Sequence, residues 1–80
     1  MKTKVAEALS YGLPVICMAN AAEGYEDVLS SDRYRCVIEV VNDIGQMVQG
    51  LAALFADPDE LLRRRQLALE AFHLYLSPDS

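Results

Sequence analysis

The chain has little positive charge. Seven lysines and arginines stand against twelve aspartates and glutamates, a formal net charge of −5. Phosphate backbones are held by clustered basic residues, so this balance argues against a nucleic-acid surface and leaves small molecules or proteins as partners. Long apolar runs are also missing: none approaches the ~20 residues that cross a bilayer. No apolar segment of the length a secretory signal needs follows Lys2 and Lys4, so a cytoplasmic protein is expected. Cysteine is scarce, and Cys17 and Cys36 fall inside apolar runs rather than in a spaced framework. They read as buried, reduced core residues instead of a disulfide or metal pair. The single histidine, His73, has no Cys, Asp or Ser arrangement near it that would make it a ligand or a base, which leaves it a structural or surface role. Repeats and low-complexity segments are absent.

What is present is apolar content. At 52% hydrophobic residues, wholesale disorder is excluded. Residues 1–80 make one small domain, and at that size only about 60% of the surface exposed by the unfolded chain can be buried. The spacing of Val5, Ala8 and Leu9 predicts a helix over Lys4 to Tyr11, capped by Thr3 and ended by Gly12 in a left-handed turn. "LPVICM", Leu13 to Met18, reads as a strand covered on both faces, with Pro14 tolerable near its start. Residues 19–25 have loop composition, "EDVLSS" suits one short helical turn, and "YRCVIEVV" over 34–41 suits a second strand.

Asn42 or Asp43 can cap a helix with Ile44, Met47, Val48, Leu51 and Phe55 on its inward face, weakened but not abolished by Gly45 and Gly50. "ADPDE" stops it. Asp59 begins a last helix with Leu62, Leu69, Phe72 and Leu76 on one side and ion pairs Asp59 to Arg63 and Glu60 to Arg64 on the other. "RRR" at 63–65 lies among acidic residues and reads as a solvated face. The expected class is therefore α/β, two parallel strands with about four helices. An apolar parallel strand wants neighbours on both sides, so two strands read as part of a larger open sheet, a fragment or a protomer completed by a partner.

The first turn of a helix gathers unsatisfied N–H groups and about half a positive charge, a natural phosphate site. Here that turn is "KTKV". Lys2 and Lys4 would add charge near an anion and Thr3 a hydroxyl, while Glu7, one turn on, could accept hydrogen bonds from a ribose diol. On these residues alone, an ordinary solvated helix face remains open.

The longer pattern is more specific. "KTKVAEALSYGLPVIC" followed by "AEGYEDV" resembles the donor-binding half of family-4-like retaining glycosyltransferases of the two-domain GT-B architecture, where K-x-x-E-A leads through G-x-P-V into a strand and a glycine-bearing loop. The resemblance implies a partial Rossmann-like domain whose substrate is a nucleotide sugar, UDP- or GDP-linked, with no separate cofactor. It implies that Glu7 stands where the second of the family's paired glutamates contacts the ribose. Thr3 and Lys4 stand where backbone amides approach the diphosphate. The family's first glutamate would fall just before Met1, and the upstream glycine loop, basic phosphate ligands and acceptor domain have no counterpart in this sequence. The chain alone is thus expected to contact the donor without transferring sugar, and to associate with itself or with a partner supplying the remainder. Two alternatives stand beside this reading: a non-catalytic α/β interaction or dimerisation module, and a fragment like the sugar-nucleotide epimerases.

Overall fold

Val5 and Leu9 lie one helical turn apart, and burying that pair while Lys4 and Glu7 stay in water sets the first helix of the structure, a computed structural model that describes residues 3–76. This helix, α1 (Thr3–Ser10), starts one residue earlier than its apolar spacing suggests, so Thr3 is its first helical residue rather than its cap. It ends as the sequence indicates. Gly12 takes φ 71°, its N–H donates to the Leu9 carbonyl at 3.0 Å, and the Leu13 N–H donates to the Ala8 carbonyl at 3.0 Å. That pair of bonds is a Schellman turn, which satisfies carbonyls the helix end would otherwise leave bare. The turn feeds β1 (Val15–Met18), with Pro14 just ahead of the paired residues.

A 3-10 turn (Ala19–Ala22) and the short helix α2 (Glu26–Leu29) follow, then a second 3-10 turn (Arg35–Val37) and β2 (Ile38–Val41). The strands pair in parallel with Val15 opposite Ile38 and Met18 opposite Val41. Both are shorter than the apolar runs containing them. In the second run, Tyr34 and Val37 are 8% and 0% exposed. A strand would send residues three apart to opposite faces, whereas a 3-10 turn stacks them on one side. Burying both on the same side therefore takes a turn, which the Val37 N–H closes on the Tyr34 carbonyl at 3.1 Å.

Asp43 caps α3 (Ile44–Phe55), accepting from the Gln46 N–H at 2.8 Å, while the Gln46 side chain accepts from the Asn42 N–H at 2.8 Å. Asp57 caps α4 (Pro58–Ala71) by accepting from the Glu60 N–H at 3.2 Å, and Pro58 opens the helix where its missing N–H costs nothing. The chain then loosens into a π-type turn, Phe72–Leu76.

Val15, Cys17 and Ile38 turn to the sheet face covered by α1 and α4, where Leu9, Val28, Val37 and Ile38 are the largest fully buried side chains. α3 covers the other face. It does so with a different side than its apolar stripe suggests: Leu54 is buried and Met47 and Gly50 half-buried, while Ile44, Val48, Leu51 and Phe55 are 63%, 58%, 42% and 71% exposed. Gly50 explains the rotation. A Cβ there would lie 3.0 Å from Glu39 Oε2 and 3.3 Å from Ile16 Cδ1, so the helix backs onto the sheet at a residue without a side chain.

α4 departs from expectation in a similar way. Leu67, Ala68 and Ala71 are its buried residues; Leu62 and Leu69 stay on the surface, and Phe72 and Leu76 pack partly against the core. The two alanines have no exposed surface, and their small side chains let neighbouring elements approach closely. Of the cysteines, only Cys17 is in the core. Cys36 is half-buried in the turn before β2, its Sγ 3.9 Å from Arg63 Nη2, and both thiols are free. No helix among the described residues is long and apolar enough to cross a membrane.

Two measurements check this architecture. Gly12→Ala places a Cβ 3.2 Å from Leu69 Cγ at a backbone angle that L-residues avoid; a loss of about 1–2 kcal/mol in urea unfolding is expected. Burial raises the Cys17 thiol above its ordinary pKa. Ellman's reagent should therefore titrate Cys36 in the native protein and reach Cys17 only on unfolding; equal rates would contradict the placement of β1.

Candidate functional site

Lys4, Glu7, Ala8 and Tyr11 line a shallow groove of about 330 Å³ on the outer side of α1. Their spacing of three, four and seven residues places them on one helix face, opposite the inward pair Val5 and Leu9. Two of the four residues singled out from the sequence, Lys4 and Glu7, therefore share one surface. Thr3 contributes the first helical backbone amide. Lys2 lies outside the described residues. Tyr11, 69% exposed, was not singled out. Its signal was available in its spacing, one turn beyond Glu7 and immediately before the helix-ending glycine.

The first turn of α1 meets the segment that follows β1. The Ala6 N–H donates to the Tyr25 hydroxyl at 3.2 Å, and Tyr25 is only 4% exposed. The beginning of α1 thus sits beside the carboxyl end of a sheet strand, the end at which open α/β sheets hold ligands. The same bond commits the Ala6 amide to a protein acceptor, so it is not free for an anion. Within the loop, the Gly24 N–H donates to Glu26 Oε2 at 2.9 Å, and Glu23, Glu26 and Asp27 face solvent. The acidic loop is organised by its own hydrogen bond.

A larger cavity lies elsewhere. It measures about 520 Å³ and is lined by Asp32, Arg33, Arg63, Gln66, Leu67 and Glu70. Three of its four charged residues are engaged in ion pairs. Arg33 pairs with Glu70 Oε1 at 3.0 Å, and the Tyr34 hydroxyl donates to the same oxygen at 3.0 Å. The Arg33 and Tyr34 hydrogen bonds together hold the Glu70 carboxyl below its ordinary pKa. Tyr34 in turn meets Tyr75 edge-on at 6.0 Å.

The three arginines at 63–65 also have internal acceptors. Arg63 and Arg64 reach Glu60 Oε2 at 2.8 and 2.7 Å, Arg64 continues to Glu39 Oε1 at 3.1 Å, and Arg65 Nε donates to the Gly12 carbonyl at 3.2 Å. The pair Glu60 to Arg64 is the one its spacing indicates. Arg63 pairs with Glu60 rather than Asp59, because residues three and four beyond Glu60 both lie over its side of the helix. The arginine run serves packing as much as solvation: it ties α4 to β2 and to the turn ending α1. Arg63 and Arg65 are exposed, as a solvated face requires, and only Arg64 is half-buried.

His73 is exposed, its ring 5.7 Å from Phe72. Among the described residues no group of three or more His, Cys, Asp or Glu gathers as a metal site. The groove on α1 can offer one cation, one carboxylate and one aromatic ring to a ligand from solvent. No family model, curated protein or solved structure matches this chain.

The arginine pair sets a pH dependence. Hydrogen bonds from Arg63 and then Arg64 pull the Glu60 carboxyl down from its ordinary 4.5 to about 2. A carboxyl lowered in the folded state adds stability that is present above about pH 4.5 and is lost as pH falls toward 2. Solvent screening keeps the effect modest. Glu60→Gln should lower Tm at pH 7, with the gap to the parent closing between pH 4.5 and 2. A gap independent of pH would contradict the pairing.

Proposed function

We propose that the chain is a nucleotide-contacting segment of a glycosyltransferase donor-binding domain, part of a Rossmann-like sheet, and that α1 meets a UDP- or GDP-linked sugar. The observation that carries the reading is the shared groove of Lys4 and Glu7 beside the carboxyl end of β1. In this role the first-turn amides and the Lys4 ammonium meet the diphosphate, with Lys2 and Thr3 adding charge and a hydroxyl. Glu7 accepts from the ribose hydroxyls. The commitment of the Ala6 amide to Tyr25 limits the phosphate contact to the amides ahead of it.

Sugar transfer needs donor and acceptor held together with stabilisation of the charge that develops between them, effects worth many kcal/mol. Neither the groove nor the matched arginines supply an acceptor site. The segment therefore binds without turning over, and activity belongs to an assembly that adds an acceptor surface. The alternative, an α/β interaction module, draws on the exposed apolar side of α3. An epimerase-like fragment has no comparable support.

Isothermal titration with UDP and GDP tests the reading. Hydrogen bonds to a charged group contribute about 1.5–3 kcal/mol, so Glu7→Ala should weaken binding by roughly ten- to a hundredfold. A smaller loss that shrinks with added salt is expected for Lys4→Ala. Absence of heat with the folded parent, or binding unchanged in Glu7→Ala, would remove the proposal.

A further inference from the structure

The chain has four tyrosines, and three of them have partners within it. The Tyr25 hydroxyl accepts from the Ala6 N–H, the Tyr34 hydroxyl donates to Glu70, and the Tyr75 ring meets Tyr34 edge-on. Tyr11 differs. It is 69% exposed, and among the described residues its side chain makes no ring contact, cation contact or hydrogen bond. Its backbone is nevertheless fixed: the Tyr11 N–H donates to the Ala8 carbonyl at 3.1 Å, and the Schellman turn at Gly12 follows at once. The side chain borders two hollows, the groove of about 330 Å³ shared with Lys4, Glu7 and Ala8 and one of about 240 Å³ shared with Leu62, Arg65 and Leu69. It thus presents an aromatic surface at the end of the groove opposite Lys4.

We propose that Tyr11 is the base-binding residue of this groove and stacks on the nucleobase of a nucleoside diphosphate. The inference rests on the proposed placement of phosphate at Lys4 and ribose at Glu7, and adds the remaining part of the ligand. Phosphate, ribose and base are joined in that order in every nucleotide. A ligand laid along α1 with its phosphates at the first turn and its ribose at Glu7 therefore carries its base onward, and Tyr11 is the groove residue beyond Glu7.

Length agrees with order. From Lys4 to Tyr11 the helical rise is about 10 Å, the reach of an extended nucleoside diphosphate from its outer phosphate to its base. Ala8, on the same face, has only a methyl group and leaves the floor of the groove open between Glu7 and the Tyr11 ring.

The kind of contact sets the specificity. A phenol ring offers a π-face that every base can use, so stacking selects for ring area rather than for a hydrogen-bonding edge. The charged groups of the groove, Lys4 and Glu7, are occupied by phosphate and ribose in this arrangement. The site accordingly takes uracil and guanine alike, with the larger purine modestly favoured.

Titration of the whole chain with UDP and GDP, extended to variants of Tyr11, tests this. GDP should bind more tightly than UDP, by less than about tenfold. Tyr11→Ala should weaken both by roughly five- to 150-fold and narrow the gap between them, while Tyr11→Phe stays within about threefold of the parent because the hydroxyl takes no part. The ring lies outside the core, so Tyr11→Ala should keep the parent's circular dichroism and urea midpoint. Tyr11→Trp supplies a tryptophan to a chain that has none. Its emission should be quenched by GDP and left unchanged by pyrophosphate, which has no ring to stack. Binding that depends on Glu7 but is unaltered in Tyr11→Ala would overturn the stacking role and leave the nucleotide contact standing. Equal losses in Tyr11→Ala and Tyr11→Phe, or quenching by pyrophosphate, would also overturn it. Absence of heat with the folded parent would remove both.

Discussion

Two parallel strands of four residues cannot hold themselves together in water: an isolated pair leaves an open edge on each side and little side-chain surface to bury. The sheet depends on helices pressed against both faces, and the depth of that contact depends on small residues at the crossings. Ala68 and Ala71 of α4 sit in the core with no exposed surface, and Gly50 of α3 lies over Ile16 and Glu39. Larger residues at these three places would hold the helices off and leave Leu9, Val37 and Ile38 partly wet. The core is therefore set by where side chains are missing as much as by where they are large.

The same economy governs the charges. Basic residues are few, and α4 uses three arginines to join itself to β2, to its own first turn and to the carbonyl of Gly12. Arg33 joins the segment before β2 to Glu70. Such exposed pairs contribute little singly, and their value lies in fixing how α4 crosses the other elements. The outer side of α1 keeps Lys4 as its described cation, beside Glu7.

Much of the element order was legible in the sequence because it rests on local chemistry. Gly12 stops α1, Asp43 caps α3, and Pro58 opens α4 through bonds that span only a few residues. The faces were harder to read. Periodicity reveals that Ile44, Val48, Leu51 and Phe55 share a side, but does not say that the sheet will prefer the neighbouring side where Gly50 permits closer approach. The strand expected over 34–41 began with a turn for a comparable reason, since only the tertiary burial of both Tyr34 and Val37 distinguishes the two conformations. In the candidate site, the shared surface of Lys4 and Glu7 followed from helical spacing alone. The Tyr25 contact to Ala6 did not, because it joins residues nineteen apart through the packing of the β1 loop.

That contact joins two segments in time as well as in space. The beginning of a helix ordinarily frays independently of a loop elsewhere in the chain. Here the buried Tyr25 ring anchors the loop, and its hydroxyl holds the Ala6 amide, so unwinding at the start of α1 and lifting of the loop after β1 become one opening event. The exchange rate of a single amide proton, that of Ala6, therefore reports on the bond that joins the two segments.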